Sequence, residues 1–431
     1  MNRRDFLKRL CAGTAAIGAA SLTGCDSGSP ENMSDVEIGS MTLSDNTSTH
    51  DKVSLLGYGM MRLPMLEKEE GSEGQDIDQE TVNELVSIAM RYGVNYYDTS
   101  PVYCQGKSEA STGEALSKFP RDKYFVATKL SNFDPSTQTY DGSVGMYHDS
   151  MRYLRVDYID YYLLHAIGRL DDFYRRFVDN GVMDFLLEER KAGRIRNLGF
   201  SFHGPRDSFE ELMRLHEKYH WDFVQLQLNY SDWKTNRDTA YEFNLLREQN
   251  ISVVIMEPLL GGRLAKVPEV SMVEMKRREP DRSVASWAFR FCGSLPNVLT
   301  CLSGMTYKEH LEDNIMTFSP LCPLDGEEKA FLSTVVDEIF RNPGIPCTGC
   351  QYCMPCPYGL DIPGIFAYYN GHKDETSRFV GGYNAAVEPV RQADHCVACN
   401  ECVSHCPQHI NIPEQMLFVD KFVEAIKRQT L

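Results

Sequence analysis

Positive charge is scarce in this sequence. It contains 61 Asp and Glu residues against 44 Lys and Arg, which gives a net charge of −17 at pH 7. Binding to nucleic acid requires a basic surface, and adsorption to anionic lipid headgroups requires clustered Lys and Arg. The charge balance therefore argues against both kinds of partner and predicts that the protein does not bind nucleic acid.

A long hydrophobic run is also missing. The apolar stretch from Leu10 to Leu22 is shorter than the roughly 20 residues of a membrane-spanning helix, and it is typical of a signal-peptide core. NRRDFLK (2–8) resembles the twin-arginine export motif, and LTGC (22–25) resembles a lipobox. Residues 1–25 are therefore predicted to direct folded protein to the periplasm, with a lipid anchor to the membrane at Cys25.

The residues after this segment change in composition. Residues 26–51 are rich in Ser, Asp, Asn, Gly and Thr and show no apolar periodicity, which predicts a flexible tether. From Val53 to about residue 318, short β-like runs alternate with amphipathic helical stretches. The candidate strands are 53–59, 94–100, 124–130, 158–166, 195–202, 222–228, 251–257 and 297–304.

Eight strands, each followed by a helix, predict an α/β fold, a (β/α)8 TIM barrel over residues 52–330. An open doubly wound sheet is the alternative. Such a sheet would carry a GxGxxG phosphate-binding motif after its first strand, but GYGMMR (57–62) lacks the third glycine and no helix starts there. The barrel is the favoured architecture.

Polar side chains follow three consecutive predicted strands. Asp98 ends the second strand and Tyr103 lies in the loop after it, while Lys129 ends the third strand and His165 the fourth. Because active sites of such barrels lie at the carboxyl ends of the strands, these four side chains should converge. A Lys held by an Asp can lower the pKa of a nearby phenol, and a neutral His can orient a carbonyl. The set predicts carbonyl–alcohol chemistry.

The motifs around these residues are similar to those of a known family. DTSPVY (98–103), GKSE (106–109), ATK (127–129) and LLH (163–165) resemble the catalytic tetrad of the aldo-keto reductases. This resemblance implies an NAD(P)-dependent oxidoreductase that transfers hydride to or from a small carbonyl, alcohol or sugar-like substrate. In it, Tyr103 would be the general acid/base, Lys129 and Asp98 would tune its pKa, and His165 would orient the substrate.

The same resemblance implies a nucleotide site. Ser201 and Gln225 stand where the family contacts the nicotinamide carboxamide, and Met256 stands where many members stack a Tyr on the ring. The further nucleotide-binding residues that it implies are Leu259, Gly304, Met305 and Asn314. His310 replaces the Arg that is usual in NADP-preferring members, so the sequence is compatible with either NADP or NAD.

Eight of the 14 cysteines lie in two runs near the C-terminus. The runs consist of Cys347, Cys350, Cys353 and Cys356, and of Cys396, Cys399, Cys402 and Cys406. The second run has the spacing of a bacterial ferredoxin, and the first is one residue shorter before its last cysteine. Two 4Fe-4S clusters are predicted, and a zinc ribbon with two Cys-x-x-Cys pairs is the alternative.

The last cysteine of each ferredoxin run binds the other cluster in two-cluster proteins. The expected ligand sets are thus Cys347, Cys350 and Cys353 with Cys406, and Cys396, Cys399 and Cys402 with Cys356. DIPGIFAYYNG (361–371) has helical character, which predicts a small, mainly helical ferredoxin-like domain over residues 340–431. Aldo-keto reductases with such a domain form a subgroup that this chain resembles from about residue 52 onward.

The predicted export signal and the predicted iron–sulfur clusters support one another, because twin-arginine export carries folded, cofactor-loaded proteins. No NAD(P)H pool is available outside the cytoplasm, so an exported reductase would have to keep its nucleotide bound. The sequence has no recognisable flavin motif to couple one-electron clusters to a two-electron hydride. Three functions stay open: an aldo-keto-type oxidoreductase, an electron-transfer subunit with a membrane redox partner, and a catalytically retired nucleotide-binding barrel with structural clusters.

Overall fold

The computed structural model describes residues 32–67, 75–341, 343–373 and 376–429. The predicted export signal, with Cys25, lies outside these residues. Among the described residues, no helix is long and apolar enough to cross a membrane.

Two sets of strands are formed. The strands of the described residues are β1 (Leu43–Asp45), β2 (Lys52–Ser54), β3 (Leu56–Gly59), β4 (Tyr96–Asp98), β5 (Phe125–Leu130), β6 (Ile159–Ile167), β7 (Ile195–Phe202), β8 (Phe223–Gln227), β9 (Ser252–Met256) and β10 (Val298–Ser303). Strands β3 to β10 are parallel and close into a barrel in which β10 pairs with β3. The predicted (β/α)8 barrel is confirmed.

Helices surround the barrel and form the C-terminal domain. Those of the described residues are α1 (Gln79–Arg91), α2 (Ser108–Leu116), α3 (Tyr140–Leu154), α4 (Leu170–Phe173), α5 (Val182–Lys191), α6 (Arg206–Arg214), α7 (His216–Tyr219), α8 (Tyr230–Thr235), α9 (Arg237–Glu248), α10 (Glu269–Arg278), α11 (Val284–Gly293), α12 (Lys308–Phe318), α13 (Gly326–Arg341), α14 (Ile362–His372), α15 (Thr376–Ala386) and α16 (Ile412–Gln429). Short 3₁₀ turns lie at Met33–Asp35, Tyr103–Gly106, Arg121–Lys123, Pro135–Thr137, Leu260–Ala265, Pro389–Arg391 and Ala393–His395, and a π turn lies at Tyr174–Val178.

Helix α1 shows how the sequence specifies these outer helices. The Asp78 side chain caps its start by accepting a hydrogen bond from the Thr81 backbone N–H, at 3.1 Å. The buried residues Val82, Leu85, Val86 and Ala89 recur at helical spacing and face the strands. The long helices α3 and α5 likewise bury one stripe of residues in the core that they share with the strands.

Aromatic side chains fill the inside of the barrel. Tyr161 lies at its centre, with ring centroids 5.0 Å from Tyr96 and 5.1 Å from Phe223. Together with Ala127 and Leu163 they form a core that is separate from the larger one between strands and helices. The interior is therefore packed solid, and the functional site has to lie at an end of the barrel.

The predicted flexible tether is wrong for residues 32–51. Strands β1 and β2 form an antiparallel hairpin, and Val36 and Met41 are buried against the barrel. The amide of Asn46 donates hydrogen bonds to the Tyr161 hydroxyl, at 2.9 Å, and to the side-chain oxygen of Asn197, at 3.2 Å. The polar composition that suggested a tether thus supplies the hydrogen bonds that close the amino end of the barrel.

The C-terminal domain is mainly helical, as predicted. Helices α14, α15 and α16 enclose their own core, which includes Ile365, Phe366 and Val419. The boundary differs from the predicted one, because Leu332 and Val336 of α13 are buried in the core of the barrel. The barrel unit therefore extends through α13 to about residue 341 rather than ending at residue 330.

Candidate active site

The carboxyl end of the barrel holds a buried ion pair. Asp98 ends β4 and Lys129 lies near the end of β5, and both are almost fully buried. Lys129 Nζ donates to Asp98 Oδ1 at 2.6 Å and to the Thr99 carbonyl at 2.7 Å, while Gln225 donates to Asp98 Oδ2 at 3.3 Å. Burial raises the pKa of Asp98 and lowers that of Lys129, and the attraction between the two charges opposes both shifts.

Tyr103 is presented by an unusual turn after β4. Cys104 and Gln105 both have left-handed backbone conformations, with φ of 48° and 55°, which non-glycine residues adopt only under strain. This turn places the Tyr103 ring over Lys129, whose Nζ lies 4.8 Å from the ring centroid. The phenol is 9% exposed, so it is held inside the site rather than at its rim.

The pKa of Tyr103 differs from the sequence-based expectation. Burial first, and then the neighbouring Tyr352 and Asp98, raise this pKa well above its usual value. Lys129 was expected to lower it, but its ammonium donates to Asp98 and to the Thr99 carbonyl instead. With the ammonium neutralised by Asp98, the cost of burying a phenolate dominates.

His165, near the end of β6, is fixed on both ring nitrogens. Its Nδ1 shares a hydrogen bond with the Ser131 hydroxyl at 2.6 Å, and its Nε2 shares one with the Tyr352 hydroxyl at 3.3 Å. Burial, reinforced by the charges of Lys129 and Arg176, holds the pKa of His165 well below its usual value. The imidazole is therefore neutral at neutral pH and carries a single N–H.

Tyr352 comes from the C-terminal domain. It lies between Cys350 and Cys353, and its hydroxyl reaches both the His165 ring and the Tyr103 hydroxyl. Phe133 packs beside it, with ring centroids 6.4 Å from Tyr352 and 5.1 Å from His165. The candidate site is thus built from both domains.

The residues predicted to bind nucleotide fall into two groups. Ser201, Gln225 and Met256 lie at or near the ends of β7, β8 and β9, on the same side as Asp98. Ser201 Oγ accepts a hydrogen bond from the Ala166 backbone N–H at 2.7 Å. Leu259, Gly304 and Met305 lie in the loops after β9 and β10, whereas Asn314 is buried in α12 and donates to the Ser303 hydroxyl at 2.9 Å.

The cysteines of the C-terminal domain assemble in two sets. Cys347, Cys350, Cys353 and Cys406 line one cavity, whose walls include Ile362, Phe366, Ile410 and Ile412. Cys402 lies close enough to Cys396, Cys399 and Cys356 for their charges to interact. In both groupings the last cysteine of one run lies with cysteines of the other run. Thiols around an apolar cavity suit an iron–sulfur cluster.

Several functional residues were missed by reasoning from strand ends. Ser131, which orients His165, lies only two residues after Lys129, so its position gave a local signal. Arg176 is buried and donates to the His165 carbonyl at 2.8 Å, but it lies in a π turn without a recognisable pattern. Tyr352 gave no signal at all, because its role arises only from the docking of one domain on the other.

A barrel with this convergence of Asp, Lys, Tyr and His at its carboxyl end defines an oxidoreductase-type site. Residues 55–332 match the profile of the Aldo/keto reductase family, and residues 346–410 match that of a 4Fe-4S dicluster domain. The first match covers more than half of the chain. The chain belongs to the aldo-keto reductase family and carries a 4Fe-4S domain at its C-terminus.

Individual relatives are distant. The chain is 26% identical over 295 residues to the uncharacterized oxidoreductase YqkF of Bacillus subtilis. This alignment covers 60% of this chain and 90% of the relative. It is 25% identical over 306 residues to L-galactose dehydrogenase of Arabidopsis thaliana, and this alignment covers 66% of this chain and 90% of the relative. The solved aldo-keto reductase AKR11C1 of Bacillus halodurans shares the fold, with a TM-score of 0.55 at 24% identity, over 68% of this chain and 96% of that one.

The Asp98–Lys129 pair yields a prediction about stability. Asp98→Asn leaves the Lys129 ammonium buried without a counter-charge, so the free energy of unfolding should fall by about 3–5 kcal/mol. The double variant Asp98→Asn/Lys129→Met removes the ammonium as well and should recover most of that loss. Urea denaturation followed by circular dichroism measures both.

The matched control is Asp45→Asn. Asp45 pairs with Lys52 at 2.5 Å, but both side chains are at least 60% exposed. Removing this exposed pair should change the free energy of unfolding by less than about 1 kcal/mol. A double variant at Asp98 and Lys129 that is no more stable than Asp98→Asn alone would show that the buried charge is not the cause.

Proposed function

We propose that this protein is an NAD(P)-dependent oxidoreductase that moves hydride to or from the carbonyl or hydroxyl carbon of a small, sugar-like substrate. One observation carries the proposal. The Tyr352 oxygen lies 3.3 Å from His165 Nε2 and neighbours the Tyr103 hydroxyl, close to the buried Asp98–Lys129 pair. One oxygen can therefore take hydrogen bonds from both groups, as a substrate oxygen must.

The side chains divide the chemistry among them. A bound nicotinamide nucleotide supplies or accepts the hydride. In reduction, the Tyr103 hydroxyl donates its proton to the substrate oxygen as negative charge builds there, and the Lys129 Nζ lies 4.8 Å from the centroid of the phenol ring. The neutral His165 ring holds the substrate oxygen by its N–H when Ser131 donates to the other nitrogen.

The residues present suit a nicotinamide nucleotide. Ser201 and Gln225 place a hydroxyl and an amide at the barrel end next to Asp98, where a carboxamide can be hydrogen-bonded. Met256 is half-buried at the end of β9, so its thioether can cover a flat ring. Gly304, exposed after β10, leaves the backbone open to a phosphate or ribose. The exposed His310 is compatible with NADP or NAD.

A sugar-like substrate is supported by a relative. The Arabidopsis relative is named as an L-galactose dehydrogenase and aligns over 90% of its own length. A sugar hydroxyl or aldehyde also matches a site whose reactive groups are hydrogen-bonding rather than apolar. L-Galactose and other aldoses are accordingly the first substrates to assay, each with NAD and with NADP.

Replacing the proton donor gives the first functional prediction. Tyr103→Phe removes only the hydroxyl, so aldose turnover should fall by about 10²–10⁴-fold while nucleotide affinity changes little. Steady-state kinetics and nucleotide fluorescence titration measure the two quantities. The control is Tyr153→Phe, a half-exposed tyrosine in the last turn of α3, which should retain full turnover. Equal turnover in wild type and Tyr103→Phe would refute the role of Tyr103.

The proposal includes two 4Fe-4S clusters with crossed ligands. Cys406 joins the three cysteines of the first run at one cavity, and Cys356 lies near those of the second run. The hydrophobic walls of the first cavity would keep water from a bound cluster. A two-cluster domain of this kind would hold about eight irons per chain.

The iron content of double variants tests whether each cluster takes its fourth ligand from the other cysteine run. Cys356 and Cys396 belong to one predicted cluster, so Cys356→Ser/Cys396→Ser should lose about half of the iron, no more than either single variant. Cys347 and Cys356 are in the same run but in different predicted clusters, so Cys347→Ser/Cys356→Ser should lose nearly all of it. Anaerobic purification followed by iron analysis decides, and the opposite pattern would mean that each run binds its own cluster.

Electron transfer is the second candidate function. It is favoured by the position of the first cysteine set, because Cys350 lies beside Tyr352, which contacts His165. A chain of contacts thus connects a predicted cluster with the barrel site, and a membrane redox partner could exchange electrons with the clusters. Reversible cluster reduction that keeps pace with substrate turnover would support this function.

Export to the periplasm and a lipid anchor at Cys25 belong to the same proposal and are supported by NRRDFLK (2–8) and LTGC (22–25). Replacing Arg3 and Arg4 by Lys should keep the protein in the cytoplasm, whereas Cys25→Ala should release it from the membrane fraction. Cell fractionation with immunoblotting measures both. A wild-type protein found only in the cytoplasmic fraction would contradict export.

A further inference from the structure

Tyr352 crosses from the iron–sulfur domain into the barrel site. Its hydroxyl lies 3.3 Å from His165 Nε2, and its ring stands edge-on to the imidazole with centroids 6.3 Å apart. Its hydroxyl also neighbours that of Tyr103, whose ring lies 5.9 Å from that of His165.

The position of this hydroxyl has a chemical meaning. A substrate oxygen has to accept the proton of Tyr103 and the hydrogen bond of His165, so it must lie between these two groups. The Tyr352 hydroxyl already lies there, hydrogen-bonded to His165 and beside the Tyr103 hydroxyl. Since two oxygens cannot occupy one point, a substrate and Tyr352 exclude one another.

Contacts around the segment from Cys347 to Cys353 hold Tyr352 in place. Arg62 Nη2 donates to the Thr348 carbonyl at 2.5 Å, and Gly261 approaches Thr348 so closely that a Cβ there would lie 2.5 Å from its backbone. Gln408 and Gln227 exchange two hydrogen bonds, of 2.8 and 3.2 Å. The domain is therefore docked on the barrel mouth at several separate points.

We propose that Tyr352 is an internal ligand of the barrel site, whose hydroxyl occupies the position of the substrate oxygen and which a substrate must displace in order to react. The inference rests on the proposed function, because it takes Tyr103 and His165 as the groups that bind the reacting oxygen. It adds a specificity determinant: a substrate has to offer an oxygen that competes with a phenol, and room for it appears only when the tyrosine ring leaves.

Truncating Tyr352 should open the site. In Tyr352→Ala the hydrogen bond to His165 and the contact with Tyr103 need no longer be broken, so the KM for an aldose should fall about tenfold relative to wild type. Tyr352→Phe keeps the ring but loses the hydroxyl that makes these contacts, and its KM should fall by a smaller factor. The matched control is Tyr358→Ala, which removes an exposed tyrosine two residues from Cys356 and should leave KM unchanged.

Binding of p-cresol, the side chain of tyrosine as a free molecule, gives a readout that does not depend on turnover. The cavity in Tyr352→Ala should bind p-cresol, as engineered cavities bind the group they lost. Toluene, which lacks the hydroxyl, should bind about tenfold more weakly. Wild type and Tyr358→Ala should bind neither. Calorimetry on the three anaerobically purified, iron-loaded proteins measures the affinity of each for p-cresol and for toluene. Iron analysis confirms that the variants keep their clusters.

The outcomes separate the two proposals. An unchanged or raised KM in both Tyr352 variants, or no p-cresol binding to Tyr352→Ala, would overturn the internal-ligand proposal. If no variant turns over any aldose, but p-cresol binds to Tyr352→Ala and binds about tenfold more weakly when Tyr103→Phe is added, Tyr352 is an internal ligand and the proposed function is wrong. If Tyr352→Ala does not retain iron, the KM of Tyr352→Phe decides.

Discussion

Closure of the eight-stranded barrel is the constraint on which the rest of the structure depends. The sheet closes where β10 pairs with β3, in register from Cys301 and Leu56 to Ser303 and Tyr58. Gly57 is needed at this seam, since a Cβ there would lie 2.7 Å from Thr300 Oγ1. Closure brings the carboxyl ends of all the strands into one ring, and only then do side chains far apart in sequence become neighbours.

The closed barrel also makes the electrostatics of the site. With its interior filled by aromatic rings, water is excluded from beneath Asp98 and Lys129, and a lone charge at that depth would be costly. The two charges must therefore pair with each other. That leaves the neighbouring Tyr103 and His165 uncharged at rest. An uncharged state suits the proposed roles, in which Tyr103 gives a proton to the reacting oxygen and His165 holds that oxygen.

Positions that are set by strand order were predictable from the sequence, whereas contacts that are set by the docking of one domain on the other were not. The positions of Asp98, Lys129 and His165 were predictable because each ends or nearly ends a strand, and the grouping of Cys406 with the first cysteine run because ferredoxin spacing is itself a geometric rule. The hairpin around Asn46 was missed because composition cannot distinguish polar residues that hydrogen-bond a barrel from those of a tether. Tyr352 was missed because no local sequence pattern indicates which surface of the C-terminal domain packs on the barrel.

The short segment from Cys350 to Cys353 has to satisfy two structural requirements at once. Its cysteines have to stay at one cavity with Cys347 and Cys406, while Tyr352, with only Gln351 between it and Cys350, lies in the barrel site. With so few residues, the backbone has no slack to move the tyrosine independently of the thiols. Displacement of Tyr352 must therefore either rotate its side chain within a fixed loop or shift the cysteines with it, and only the second route links the thiol cavity mechanically to the barrel site.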